Sequence, residues 1–396
     1  MINNAYIHIP FCKSKCGYCS FTSFVNLEMI ESFFKALEYE ILHSYKGEPL
    51  NTLYFGGGTP SIIPVKFLNH ILSLFNLNSD AEITLECNPD DIDENFINNI
   101  HTVNRISLGC QTFDDNILKI IGRRHNGQKV IEAVNLLNKK FNNISLDFIY
   151  GLPNQTEDMF LDDIKNALKL NIQHISLYGL KLEKKSTLYG KKINIADMDT
   201  QAQMYIDVSK LLTQNGFNHY EISNFAISNF ESKHNLNYWN CNTYYGFGCG
   251  ASGYENNTRY TNSLNLKDYI NNPLIKSEID VLSKKDMFEE ELFLGFRKFS
   301  GINTENLRCK FSVDFDKKYS SILKKYDKYF EKTDIGWKFN LQGMLISDEI
   351  LSEMLWVELW VELNKHLFYK LIASFKCLVV YIFSIWVHII DISSTH

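Results

Sequence analysis

A chain of 396 residues with 45% hydrophobic and 22% charged residues has ordinary globular composition, long enough for two or three domains at about 100–200 residues each. That excludes a wholly disordered, collagen-like or coiled-coil chain. Forty Lys plus Arg against 46 Asp plus Glu leave a net charge of −6, with no basic footprint for nucleic acid, so no DNA or RNA partner is expected.

The first residues, Met1 to Tyr6, have neither a basic segment nor an apolar run, and nine cysteines are too sparse for a disulfide scaffold. A reducing, cytoplasmic compartment is the expectation. Three of the nine, Cys12, Cys16 and Cys19, crowd into eight positions, while Cys87, Cys110, Cys241, Cys249, Cys309 and Cys377 are scattered.

From residue 5 to about 185 one grammar repeats: a short β-branched or aromatic run, a polar or glycine-rich turn, then a helical pattern. Strands are predicted over 5–9, 52–55, 82–86, 105–108, 145–150 and 174–180, and helices over 28–43, 65–75, 114–121, 128–139 and 157–169. Such alternation means βαβ units and a parallel α/β sheet, and crossovers of one hand curl it toward a barrel. Working residues of such a barrel sit on loops at the C-terminal ends of its strands. The three cysteines, Gly56 to Gly58, Glu86, Gln111, Gly151 and Pro153 all follow or close strands in this way, so one shared cavity is predicted.

Beyond 186 the pattern changes to a helix over 200–214, then an aromatic and Asn-rich stretch to about 261. The domain division read from this is a core over 1–185, a barrel-completing region over 186–285, a small mostly helical domain over 286–355 and a tail over 356–396. A short hairpin is predicted from 336–341 and 344–346. The tail is apolar or aromatic from Cys377 to Val387 apart from Ser384, with Lys370 and Lys376 just before. It reads as a packing helix, as a membrane anchor with the lysines snorkelling, or as an appended segment foreign to the fold.

Cys12-x3-Cys16-x2-Cys19 presents three soft thiolate ligands of the kind that hold iron–sulfur clusters or zinc. A closed zinc site takes four ligands, whereas three cysteines on a cubane cluster leave one iron open to an exchangeable partner. The spacing also fits one face of an ordinary helix, although Pro10 and Gly17 favour a loop. Tyr54-Phe55-Gly56-Gly57-Gly58-Thr59-Pro60 is a glycine-rich turn leaving a strand. It either lets the backbone approach a ligand or is a plain tight turn, and it lacks the Walker lysine.

Tyr6-Ile7-His8-Ile9-Pro10-Phe11-Cys12 running into Cys16 and Cys19, followed by the glycine turn, resembles the radical S-adenosylmethionine superfamily, in its coproporphyrinogen oxidase-like branch. Further segments fit: Asn104-Arg105-Ile106-Ser107-Leu108-Gly109-Cys110-Gln111-Thr112-Phe113, Gly122-Arg123-Arg124-His125 and Asp147-Phe148-Ile149-Tyr150-Gly151-Leu152-Pro153. The resemblance implies a partial (β/α)6 barrel with a small mostly helical C-terminal domain. It also implies that Cys12, Cys16 and Cys19 hold a [4Fe–4S] cluster whose fourth iron binds S-adenosylmethionine for reductive cleavage to a 5′-deoxyadenosyl radical. By the same resemblance Tyr6, Gly57 and Glu86 lie at one S-adenosylmethionine, and Tyr18, Gly58, Thr59, Gln111, Arg123 and Asp147 match residues that meet a second one in the oxidase.

Side-chain chemistry is compatible with several of these roles. A strand-end Glu86 can accept both ribose hydroxyls, Arg123 can fork onto a carboxylate and Gln111 can donate and accept at once. Glu86 and Asp147 equally suit turn caps, and Arg123 a surface ion pair.

Within the branch, the oxygen-independent oxidase carries a fourth cysteine where this chain has Phe21, and an N-terminal arm ahead of the position of Tyr6. His234-Asn235-x-x-Tyr238-Trp239 instead resembles the signature of the haem chaperones of the HemW branch. Histidine is the commonest haem ligand, and Tyr238 and Trp239 can stack on a porphyrin. A satisfied structural histidine is the competing reading of His234. Ser252 stands where HemW sequences often carry His, and Cys249 reads as a packed thiol, since no Cys-x-x-Cys-His is present.

The resemblance therefore implies a haem carrier that binds haem, a cluster and S-adenosylmethionine and serves a respiratory or other haem-accepting protein, with membrane association through 356–396 if the tail is an anchor. The alternative is an enzyme that decarboxylates coproporphyrinogen III. No catalytic residue is assigned.

Overall fold

The computed structural model describes residues 1–191 and 193–363, with side chains to 355. Nine strands form one sheet: β1 (Asn4–Ile9), β2 (Leu50–Gly57), β3 (Leu77–Cys87), β4 (Arg105–Gln111), β5 (Ile144–Tyr150), β6 (His174–Gly179), β7 (Asn218–Glu221), β8 (Asn224–Ala226) and β9 (Tyr245–Phe247). Their order is β7-β8-β6-β5-β4-β3-β2-β1-β9. The first six run parallel, as their alternation with helices predicts. β9 adds in parallel beyond β1, while β8 and β7 add antiparallel beyond β6. Both edges of the six-strand unit are thus covered by chain from the 218–247 region.

Crossover helices α1 (Ile30–Ser44), α2 (Val65–Leu72), α3 (Glu94–Asn99), α4 (Asp115–Ile120), α5 (Gly127–Leu137), α6 (Glu157–Ala167), α7 (Met198–Gln214) and α8 (Lys233–Trp239) connect the strands. Their starts are set by side-chain caps: Asp93 accepts from Phe96 N, Asn126 from Lys129 N, Thr156 from Met159 N and Asp197 from Thr200 N. α3 has no counterpart in the sequence reading, because its six residues are too short for a 3.6-residue period to show.

The strand side chains alternate with period two. Ile7, Phe55, Leu85, Leu108 and Leu146 join Phe33, Leu37, Leu68, Val134 and Phe160 of the helices in one apolar core. The intervening positions are polar: Asn4, Tyr6 and His8; Thr52 and Tyr54; Glu82, Thr84 and Glu86; Arg105 and Ser107; Ser145 and Asp147; His174, Ser176 and Tyr178. Register places them in rows, with Glu86 beside Ser107, Ser107 beside Ser145 and Ser145 beside His174. The helix-covered face of the sheet is apolar and the other face carries the chemistry.

β10 (Ser252–Glu255), β11 (Thr258–Asn262) and β12 (Lys276–Val281) form a second, antiparallel sheet, with α9 (Leu266–Asn271) inserted before β12. Glu40 of α1 anchors this region. It is fully buried and accepts from Gly248 N, Asn262 Nδ2, Tyr269 OH and Lys276 Nζ at 2.8–2.9 Å.

α10 (Lys284–Gly295) opens the C-terminal part, whose own core gathers Phe288, Leu292, Phe296, Phe330, Phe339 and Ile350. The hairpin expected between 336–341 and 344–346 does not form. Gly336–Phe339 pairs with Phe330–Lys332 and Ile302–Asn303, while Leu341–Leu345 is a helix, because Asn340 accepts from Gly343 N at 2.8 Å and starts a turn. Among the described residues no helix is long and apolar enough to cross a membrane. The apolar run from Cys377 to Val387 lies outside the described residues.

Candidate functional site

A cavity of about 380 Å³ opens at the C-terminal ends of the parallel strands. Its wall brings together Cys12, Cys16, Tyr18, Cys19, Gly57, Gly58, Thr59, Glu86, Gln111, Arg123 and Asp147. Their convergence follows from topology, since every parallel strand delivers its C-terminal loop to the same rim.

Glu86 ends its strand with both carboxylate oxygens held. Oε1 accepts from the Tyr54 hydroxyl at 2.9 Å and Oε2 from Gly57 N at 3.0 Å. A Cβ on Gly57 would meet the His8 ring at 2.5 Å, and its φ is +110°, so only glycine fits there. A Cβ on Gly58 would meet the Phe11 carbonyl at 2.6 Å.

The cysteines are free thiols, half-buried on the cavity wall. Thr59 Oγ1 donates to Cys12 Sγ at 3.5 Å and Arg123 Nη1 to Cys16 Sγ at 3.7 Å. Burial pushes the Cys12 thiol up and the Cys19 thiol up to about 11, so coordination by a metal is what would deprotonate them. Among the described residues no three His, Cys, Asp or Glu side chains gather as a single ion requires. Three sulfurs spread over one loop suit a cluster, in which each cysteine takes a different iron.

Arg123 spans the site. Its Nη2 donates to Asn88 Oδ1 at 2.6 Å and to the Gly109 carbonyl at 2.9 Å, and its Nε makes no hydrogen bond. Gln111 has φ +63°, and its Oε1 is buried without a partner. A left-handed glutamine with an unsatisfied oxygen is strain of the kind that collects at binding sites. These atoms suit a ligand that carries both a carboxylate and hydrogen-bond donors, as an amino-acid nucleoside does.

Asp147 accepts from Ser107 Oγ at 2.6 Å and Ser145 Oγ at 3.1 Å, and burial raises its carboxyl above the usual range. Behind it a chain of bonds continues. His174 Nδ1 lies 2.8 Å from Ser145 Oγ and Nε2 lies 2.8 Å from the Tyr220 hydroxyl, which accepts from Ser232 N at 3.1 Å. Burial and Arg105 hold His174 neutral. With Nε2 as acceptor, every donor in the chain points toward Asp147.

Four sequence-assigned residues lie elsewhere. Tyr6 is 8% exposed and bonds His8 Nδ1 at 3.0 Å, behind the cavity wall and beside Glu86. Gly151 and Pro153 do not line the cavity; a Cβ on Gly151 would meet Gln201 of α7 at 2.7 Å, so this glycine serves helix packing. His234, expected as a haem ligand, stands at the start of α8 and outside the main cavity. It is 1% exposed, with Nδ1 2.8 Å from Thr52 Oγ1 and Nε2 2.8 Å from the Tyr238 hydroxyl. Tyr238 and Trp239 are buried with it.

The cavity also includes residues to which the sequence reading gave no role. Asn88 joins Arg123 to Thr59 Oγ1, and His125, pushed down to about 4 by burial and by Arg123, faces the same guanidinium. Asn88 stands two positions after Glu86 at a strand end, a signal open to sequence reasoning.

Residues 6–167 match the model of the radical SAM superfamily. The chain is 40% identical over 331 residues to "Heme chaperone HemW" of Lactococcus lactis subsp. lactis strain IL1403, covering 80% of this chain and 87% of that protein. It is 34% identical to "Heme chaperone HemW" of Bacillus subtilis strain 168, covering 89% and 99%. The chain belongs to the HemW family of the radical SAM superfamily. Coproporphyrinogen III oxidase (HemN) of Escherichia coli, a radical SAM enzyme, shares the fold, with a TM-score of 0.78 at 20% identity over 89% of this chain and 90% of that one. Placement in the HemW family gives the cysteine loop and the orphaned polar atoms of the cavity a common context.

Proposed function

We propose that this HemW-family chain is a haem chaperone that binds haem, a [4Fe–4S] cluster and S-adenosylmethionine and delivers the haem to an acceptor protein, respiratory or other. The observation that carries this reading is similarity to proteins named haem chaperones across 87% and 99% of their lengths. The oxidase relation rests on fold alone, at 20% identity.

In this reading Cys12, Cys16 and Cys19 hold the cluster. When bound, it supplies the electron for reductive cleavage of S-adenosylmethionine. Glu86, oriented by Gly57 and Tyr54, accepts from the ribose, with Tyr6 supporting it from behind. Gly58 and Thr59 keep the turn close to the ligand, and Gln111, Arg123 and Asp147 offer an acceptor, a cation and a carboxylate on the opposite wall. Tyr18 closes the wall beside Cys16. A reducing, cytoplasmic setting fits eight free cysteines among the described residues.

The test is cluster-reconstituted protein offered haem on a sizing column and, separately, coproporphyrinogen III with S-adenosylmethionine and a low-potential reductant. Haem that co-elutes and passes to an apo-haemoprotein, with no protoporphyrinogen formed, supports the chaperone. Protoporphyrinogen formation overturns it.

A further inference from the structure

The hydrogen-bond chain behind Asp147 belongs to none of the roles assigned above. Ser145 Oγ donates to Asp147 Oδ1 at 3.1 Å and lies 2.8 Å from His174 Nδ1, and His174 Nε2 lies 2.8 Å from the Tyr220 hydroxyl. Parallel pairing sets Ser145 of β5 opposite His174 of β6, and Tyr220 stands on β7, the last strand of the sheet. Of these groups only Asp147 lines the main cavity. Ser145 and His174 are fully buried and Tyr220 is half-buried, so the chain leads from the cavity wall through the protein interior to a residue with solvent contact. Buried polar groups need partners, yet here every link is a hydroxyl, an imidazole or a carboxyl, each able to give one proton while taking another.

We propose that Tyr220, His174 and Ser145 are a proton relay that loads Asp147 from behind the cavity wall, so that the main cavity holds a carboxyl whose proton is replenished from the protein side. Ser232 N donates to the Tyr220 oxygen, which leaves the Tyr220 proton aimed at Nε2 and fixes the resting imidazole as the Nδ1–H tautomer. In one concerted shift the Tyr220 proton moves to Nε2, the Nδ1 proton to Ser145 Oγ and the Ser145 proton to Asp147, while a hydrated proton from solvent restores Tyr220. Each bond formed replaces one broken, and no oxidant or reductant takes part. The imidazole stays neutral throughout, as burial and Arg105 require. The titratable and charged groups facing Asp147 are Tyr54 of β2, Glu86 of β3, Arg105 and Cys110 of β4 and Tyr178 of β6. Arg105 favours its ionised form and Glu86 its protonated one, which poises the carboxyl between the two states. Arg105, Glu82 and Glu221 face Tyr220. A ligand that fills the cavity covers Asp147 there, which leaves the relay as its supply.

The test is nuclear magnetic resonance of the full cluster-loaded chain, with histidine labelled at its ring nitrogens, followed across pH beside infrared detection of the acid carbonyl of Asp147. The His174 signal is the one lost in His174→Gln. In the wild type, lowering the pH should convert His174 from the Nδ1–H to the Nε2–H tautomer, with the midpoint at which the Asp147 acid band appears. Asp147→Asn should remove the band and hold one tautomer at every pH. Ser145→Ala should keep the band and break its link to the tautomer. A folded chain with no acid band, a band that appears with no change at His174, or a tautomer that switches as before in Asp147→Asn overturns the relay. Wild type and Asp147→Asn decide the question even where Ser145→Ala does not fold. No readout requires haem, so the relay and the haem-chaperone reading stand or fall separately.

Discussion

The backbone N–H of Gly57 donates to Glu86 Oε2 at 3.0 Å, so the turn that ends β2 aims the carboxylate that ends β3. The turn leaves no room for a Cβ on Gly57, because the His8 ring occupies the space where one would stand. Gly57→Ala combines that overlap with a φ of +110° and should destabilise the fold by about 1–3 kcal/mol. S-adenosylmethionine binding should weaken with it, measured by calorimetry beside a urea titration. An alanine variant with wild-type affinity would remove Glu86 from the binding site.

Cys12→Ser, Cys16→Ser and Cys19→Ser should each lose most of the reconstituted iron and its visible absorbance while the far-ultraviolet dichroism stays unchanged. The three side chains lie on the cavity wall and outside the apolar core. Full iron loading in any one of the three would show that residue is not a ligand.

Glu40 is a carboxyl group buried among four donors. Glu40→Ala leaves Lys276 without its carboxylate and Gly248 N without its acceptor, while Asn262 keeps the Gly246 and Gly248 carbonyls. Breaking a buried pair from one side costs about 3–5 kcal/mol. Chemical denaturation should show a loss in that range, centred on the β9 to β12 region by hydrogen exchange. A loss under about 1 kcal/mol would mean water replaces the carboxylate.

Glu221 lies where β7 meets the C-terminal part: Ile222 N donates to the Arg297 carbonyl at 2.9 Å. Burial raises its carboxyl to about 7, against the hydrogen bonds from Ser223 N and Asn224. In the unfolded chain a glutamate titrates near about 4.3. The folded state therefore holds a proton the unfolded state has released, and stability present at low pH is lost as pH rises through 7. Buried His125, His174 and His219 act in the opposite sense, so the readout is the difference between wild type and Glu221→Gln. The variant should gain relative stability between pH 5 and 8; parallel curves would refute the shift.

His234→Ala removes an imidazole bonded to Thr52 and Tyr238. A stability loss of about 1–3 kcal/mol is expected, since the buried Tyr238 hydroxyl loses His234 while Thr52 keeps Asn4 and Asn237, with haem affinity retained. A selective loss of haem binding at unchanged stability would make His234 a haem ligand.

Local patterns in the sequence carried the architecture far. Strand and helix periods, the Cys12, Cys16, Cys19 loop and the Gly56 to Thr59 turn are consecutive residues, so their geometry is largely set by their own spacing. Strand-end positions such as Glu86 and Gln111 were legible because a parallel sheet sends all its C-terminal ends to one rim, whereas Asp147, in the middle of β5, entered only through the family resemblance. What only the tertiary structure decided is which way a side chain faces and what already occupies it. His234 and Tyr6 carry ligand-like chemistry, and the structure bonds His234 to remote Thr52 as well as to Tyr238 one helical turn on, and Tyr6 to His8 two positions on. Asn88 follows Glu86 at a strand end, but its partners, Arg123 and Thr59, became visible only when the strand ends were packed together. A side chain's availability depends on long-range burial and hydrogen bonding, and neither is a property of sequence spacing.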